Sequence, residues 1–215
     1  MVQTKKASVQ DAIIKSAAML FQAQGYSNTP MAAIARHAGV AASNIYVYFG
    51  SKIELFYAVY EPWLECQFDR MVVDVRSQSA ARAAIERLLE WIWVRIPSSD
   101  NYFSNNLMEA VSTAGADAAY SSALLHRCRA RIADLLTEIG DGRLSGADAA
   151  DIAMLIMMAF DGFAMKVRVS VEPPSGAVLA QFAVMVMGRF QSDATAPPRP
   201  RAAVEATKRI VKSHV

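Results

Sequence analysis

The chain has 215 residues, 53% of them hydrophobic, with 22 Lys and Arg against 20 Asp and Glu. That is enough apolar material for one large domain or two small ones, and it excludes a chain disordered throughout. Two cysteines, Cys66 and Cys128, with no CxxC pair exclude a disulfide-rich scaffold and a zinc ribbon, and no apolar run approaches the roughly 18 residues that cross a bilayer.

The N-terminus meets Asp11 before any apolar stretch and offers no small-residue cleavage site, so a cytoplasmic protein with no membrane association is expected. Charge is unevenly spread. Up to Lys52 there are five basic residues against one acid, from Ile53 to Phe190 twelve against seventeen, and beyond Phe190 five against two. A basic head on an acidic body suits a polyanion-binding module joined to a second function.

In chain order the pattern is helical throughout. Val9, Ile13, Ala17, Leu20 and Phe21 form an apolar stripe that predicts a helix from about Val9 to Gln24, opened by a capping box at Ser8–Asp11 and closed by Gly25. Thr29-Pro30 reads as an N-cap with proline at the first helical position, opening a short helix to Ala38. Gly39 supplies the tight turn to a third helix, about Ala42–Phe49, and the pair makes a helix-turn-helix candidate. Ser51-Lys-Ile-Glu54 is a second capping box, opening a long helix that should bend or break near Pro62. Further helices are expected at about Ala80–Ile96, Asn101–Ala114, Ala116–Ile139, Ala147–Val171 and Ser175–Phe190, separated by Pro- and Gly-containing turns. The last two are apolar on more than one face, more than so small a chain can bury alone, which points to a homodimer. The basic, Pro-containing stretch 191–215 reads as a loosely docked tail.

The stretches Ala17–Tyr26, Thr29–Ala35, His37–Val40 and Asn44-Ile-Tyr-Val-Tyr-Phe-Gly-Ser-Lys52 resemble the DNA-binding head of the TetR family of repressors over about residues 9–56. The resemblance implies an all-α protein: a three-helix helix-turn-helix domain (1–52), a larger helical ligand-binding and dimerisation domain (53–190), and the tail (191–215). It implies a homodimer on a palindromic double-stranded DNA operator, repressing until a small molecule is bound, with no cofactor and no enzymatic activity. The third helix would enter the major groove, with Ala41, Ala42, Ser43 and Asn44 near the base edges and Tyr46 and Tyr48 on phosphates. Thr29 at a helix N-terminus, Arg36 and Lys52 would add phosphate contacts. Ala41 lacks a capping side chain, which costs a helix about 1 kcal/mol unless another group supplies the cap.

For the body, the aromatic and Met-rich helices offer Trp63, Trp91, Tyr102, Phe103, Met108 and Phe160 as walls of an apolar cavity for a small, largely apolar effector. Glu109 and Asp161 are either ligand contacts or buried carboxylates with a structural partner, such as Arg168 for Asp161. Met157, Phe163, Phe182 and Met185 are the expected dimer interface. HExxH, P-loop, GxGxxG and nucleophile-elbow motifs are missing, the histidines are dispersed, and no metal site is expected. The competing reading is a helical adaptor or small-molecule-binding dimer that uses the helix-turn-helix only for packing. It gives no reason for Asn44, Tyr46, Tyr48 and Lys52 to be outward.

Overall fold

A computed structural model describes residues 2–99, 101–113, 123–168 and 173–190, with the side chains of 2–5 and 164–168 left aside. The helices run α1 (Val2–Gln24), α2 (Met31–His37), α3 (Ala42–Tyr48), α4 (Lys52–Arg76), α5 (Ala81–Glu90), α6 (Phe103–Thr113), α7 (Ala123–Gly140), α8 (Gly146–Arg168) and α9 (Gly176–Arg189), with no strand among the described residues. The tail 191–215 and the expected start of α7 and end of α8 lie outside them.

In the head, α1 lays Ile13, Ala17 and Phe21 against Ile34 and Ala35 of α2 and Ile45 of α3, all fully buried. Gly39 takes φ +70° between α2 and α3, a left-handed conformation that a Cβ would strain. His37 Nδ1 lies 3.0 Å from Ser16 Oγ, adding a polar tie between α2 and α1.

Three local expectations change. α1 starts at Val2, so Ser8 lies inside the helix and opens nothing; the residues before it contain no breaker, and the helix extends through them. Thr29 is not the N-cap of α2. That position is Pro30, with no side-chain cap, while Thr29 is fully buried and its Oγ1 donates to the Gly25 carbonyl at 2.7 Å. The unmet carbonyls at the end of α1 win its hydroxyl. Pro62 does not break α4, which continues as one helix to Arg76. Proline deletes one backbone bond, and burial of Tyr57, Tyr60, Leu64 and Phe68 on both sides of it holds the helix together.

The cap at Ser51 forms as expected: Ser51 Oγ accepts from Glu54 N at 3.2 Å, and Glu54 Oε2 accepts from Gly50 N at 2.8 Å. Ser51→Ala is therefore expected to lower stability by about 1 kcal/mol, read as a shifted denaturation midpoint with unchanged slope.

The body packs α4 to α9 around a second stretch of the same core. Phe56 joins the two parts, its ring centroid 6.3 Å from Phe21 and 5.8 Å from Tyr26 of the head and 4.8 Å from Tyr60 of the body. α5 continues into a π-helical turn, Trp91–Arg95, in which Ile96 N donates to the Trp91 carbonyl at 3.0 Å. α4 and α7 are laced on the surface by Arg127 with Glu61 and Glu65, Arg131 with Glu65 and Asp69, and Arg76 with Glu138.

Candidate nucleic-acid interface and effector cavity

Arg36, Ala41, Ala42, Ser43, Asn44 and Tyr46 are all exposed, on α2, on α3 and at the start of α3, so the helix-turn-helix presents a continuous outer surface. Ala41 is the N-cap of α3 and offers no side-chain bond. Val47 is also exposed, at 68%. Tyr48 is half-buried against the core.

Two residues expected on phosphates are placed elsewhere. Thr29 is buried, as described, and its hydroxyl is spent on α1. Lys52 is half-buried and turned toward the joint with the body, its Nζ 4.2 Å from the centroid of the Tyr26 ring and 3.5 Å from the Ser27 carbonyl. Desolvation there pulls the Lys52 ammonium below the usual lysine range, partly offset by the Glu109 carboxylate.

That joint is polar and specific. Asn106 of α6, almost fully buried, accepts from Tyr26 N through Oδ1 at 2.8 Å. Its Nδ2 donates to the Phe21 carbonyl at 3.2 Å and to Tyr60 Oη at 2.8 Å. Tyr60 Oη in turn donates to the Asn101 carbonyl at 3.0 Å. One turn on, Glu109 Oε2 accepts from Ser27 N at 2.8 Å. A helix of the body thus completes the hydrogen bonding of the loop after α1, where the backbone has no partner of its own. Glu109, expected as either ligand contact or structural carboxylate, is here a structural one.

On the other side of α6, Phe103 and Leu107 border an apolar cavity of about 20 Å³, room for about one water molecule. Leu64, Phe68, Ile92, Ile96, Leu125, Cys128, Met157 and Phe160 complete its wall, with no charged or hydrogen-bonding side chain other than the Cys128 thiol. Burial pushes that thiol up to about 12, so it stays neutral.

Of the eight expected pocket residues, Phe103 and Phe160 border this cavity. Trp63 packs against Phe103 from outside it, centroids 5.1 Å apart. Trp91 donates to Asp74 Oδ2 at 2.8 Å and stacks under Arg95, away from the cavity. Tyr102 is exposed at φ +58°, in the turn before α6. Met108 is half-buried and Asp161 exposed, and neither lines it. Desolvation still raises the Asp161 carboxyl above the usual range. The expected Arg168 partner has a side chain outside the described set. The missed lining residues had a signal: Leu64/Phe68, Ile92/Ile96, Phe103/Leu107, Leu125/Cys128 and Met157/Phe160 are pairs three or four apart, one helical face from each wall.

The expected dimer residues divide. Met157 borders the cavity, and Phe163 and Phe182 pack on Trp93 at 5.3 and 4.9 Å. Met185 is exposed at 61% and belongs to an outward apolar stripe with Val178 and Val184 of α9, beside Met154, Leu155 and Met158 of α8. No group of metal-ligating side chains and no helix long and apolar enough to cross a membrane occurs among the described residues.

Residues 13–59 match the family described as bacterial regulatory proteins, tetR family. No curated protein sequence matches the chain. Among solved structures, the chain is similar to a TetR-family transcriptional regulator from Pectobacterium atrosepticum (15% identity, 91% of this chain and 98% of that one covered, TM-score 0.60). It is also similar to the regulator FadR from Bacillus subtilis, solved with stearoyl-CoA (18% identity, 86% and 98% covered, TM-score 0.55). A third is a regulator from Saccharomonospora viridis solved with choline (19% identity, 85% and 96% covered, TM-score 0.57). At such identities the likeness speaks for the fold, and the sequence match over the head speaks for the kind of protein: the chain belongs to the TetR family of transcriptional regulators.

Proposed function

We propose that this protein is a homodimeric repressor that leaves its operator when a small, largely apolar molecule occupies the cavity between α4 and α8. The observation that carries the reading is the double duty of α6: Phe103 and Leu107 border the cavity, while Asn106 and Glu109 hold the loop of the head. An effector larger than about one water molecule must displace the wall to enter, and displacement of α6 strains the bonds to Tyr26 and Ser27. The effector then has different affinities for the DNA-competent and released states, which is what coupling requires. That the Bacillus subtilis and Saccharomonospora viridis proteins were solved with stearoyl-CoA and choline supports a small-molecule effector here.

In this reading the head, residues 1–52, reads DNA with Ala41, Ala42, Ser43 and Asn44 toward base edges and Arg36, Tyr46 and Tyr48 toward phosphates. Residues 53–190 bind effector and partner, with Phe56 bridging the two. Lys52 acts as a prop at the joint. The dimer forms through the apolar stripes of α8 and α9.

A salt-titrated binding assay tests this, with a palindrome-containing fragment from upstream of the protein's own gene against a scrambled fragment. Preferential binding is expected; equal binding to both removes the reading as a specific regulator. Tyr46→Ala should weaken binding similarly on both fragments. Arg36→Ala should flatten the dependence of log affinity on log salt by roughly 1, and an unchanged slope takes Arg36 off the phosphates.

A further inference from the structure

We infer that the effector is an amphipath with an anionic head, its hydrocarbon tail seated in the cavity and its head on Arg129 at the rim. The inference rests on reading the cavity as the effector site and adds the chemistry of what fills it.

Leu125 of α7 and Met157 of α8 are the two lining residues that are only half-buried, so the cavity comes nearest to solvent at the α7–α8 seam. Arg129 stands one turn beyond Leu125 on α7, and its Nη1 lies 3.6 Å from the Sδ of Met154, one turn before Met157 on α8. The other arginines of α7 are committed. Arg127 is held by Glu61 and Glu65, and Arg131 by Glu65 and Asp69. Arg129, half-buried, has a thioether sulfur for a partner and no carboxylate among the described residues.

A guanidinium partly out of water without an anion is unfavourable, and its planar fork suits a carboxylate or a phosphate. Inside the rim the demands reverse. The wall is aliphatic and aromatic, and its thiol stays neutral, so a charged or hydrogen-bonding group placed there would lose its hydration with nothing in exchange. Met157, unbranched and adaptable, is the side chain best able to swing aside and admit a chain. An apolar slot ending at an unpaired arginine therefore selects a molecule with a hydrocarbon tail and an acid at one end.

The test is calorimetric titration of the full-length protein with four probes sharing a decyl chain: decanoate, decyl phosphate, decanol and decyltrimethylammonium. At least one of the two anions should bind roughly tenfold or more tighter than decanol, and which one leads identifies the head as carboxylate or phosphate. Arg129→Gln should bring the anions level with decanol while leaving decanol unchanged. Arg129→Glu should reverse the order in favour of decyltrimethylammonium, a gain that damage to the fold cannot produce. Decanol matching both anions in the unaltered protein overturns the proposal, as does an anion preference that survives Arg129→Gln. If none of the four binds, the effector reading of the cavity fails and takes the proposal with it. If they bind in the expected order without changing operator affinity, ligand-driven release fails and the assignment of Arg129 stands.

Discussion

Asn106→Leu, nearly isosteric but unable to hydrogen-bond, is expected to destabilise the protein and loosen its grip on DNA together. Leucine leaves Tyr26 N without its acceptor in a buried position and removes the donors to the Phe21 carbonyl and Tyr60 Oη. The two oxygens lose less: the Phe21 carbonyl still accepts from Gly25 N at 3.0 Å, and Tyr60 Oη still donates to the Asn101 carbonyl. The uncompensated Tyr26 N–H sets the scale, about 2 to 3 kcal/mol, or a fall in Tm of roughly 4 to 10 °C for a chain of this size. Operator affinity should drop as well, because the loop carrying Tyr26 and Ser27 into α2 is then held by Glu109 alone. Thermal unfolding and operator titration of the one variant check both. If Tm falls and affinity per folded molecule does not, Asn106 is structural and the joint is not the route from cavity to head.

The second large effect is expected at the outward stripe of α8. Met158 is 62% exposed among Met154, Leu155 and the α9 residues Val178, Val184 and Met185, an apolar face a lone chain would leave in water. Met158→Glu places a charge there without disturbing the core, so sedimentation should show monomers in place of dimers. Two heads held on one palindrome bind with the avidity of linked sites, so the monomer should lose on the order of 10²- to 10⁴-fold in operator affinity. A dimer that persists would put the interface on another face. Phe163→Glu would be a poorer test, since Phe163 packs on Trp93 and its loss would damage the interior as well.

The head was legible because its constraints stack in few residues. Gly39 needs its left-handed turn, Ile34, Ala35 and Ile45 need burial, and Asn44 and Tyr46 are polar positions left outside. Thr29 misled for a definite reason. Ser or Thr before Pro is a start signal, yet the same hydroxyl also satisfies the end of the preceding helix, and which carbonyls are unmet is a tertiary matter. Helices were legible in the body and their partners were not. Aromatic residues drew attention as cavity walls, but the indole N–H of Trp91 and of Trp93 needs an acceptor, and those bonds to Asp74 and to the Ile156 carbonyl serve the fold. The cavity fell to plain aliphatic pairs, which look like any helix core until the facing helices are known.

The π-helical turn gives the chain one residue more than an α-helix would use between Glu90 and the turn before α6. That surplus sets the phase of everything after it. Removing a single residue from Trp91–Arg95 would restore a uniform α register and rotate the following side chains by about 100°. Ile96 would then leave the cavity, and Trp93 would lose the Ile156 carbonyl it now reaches at 2.9 Å. A deletion that a surface loop absorbs without notice would here detach the cavity wall from the helices that carry the outward stripe. Within this segment sequence length itself is under constraint, and relatives should differ there by substitution and not by gaps.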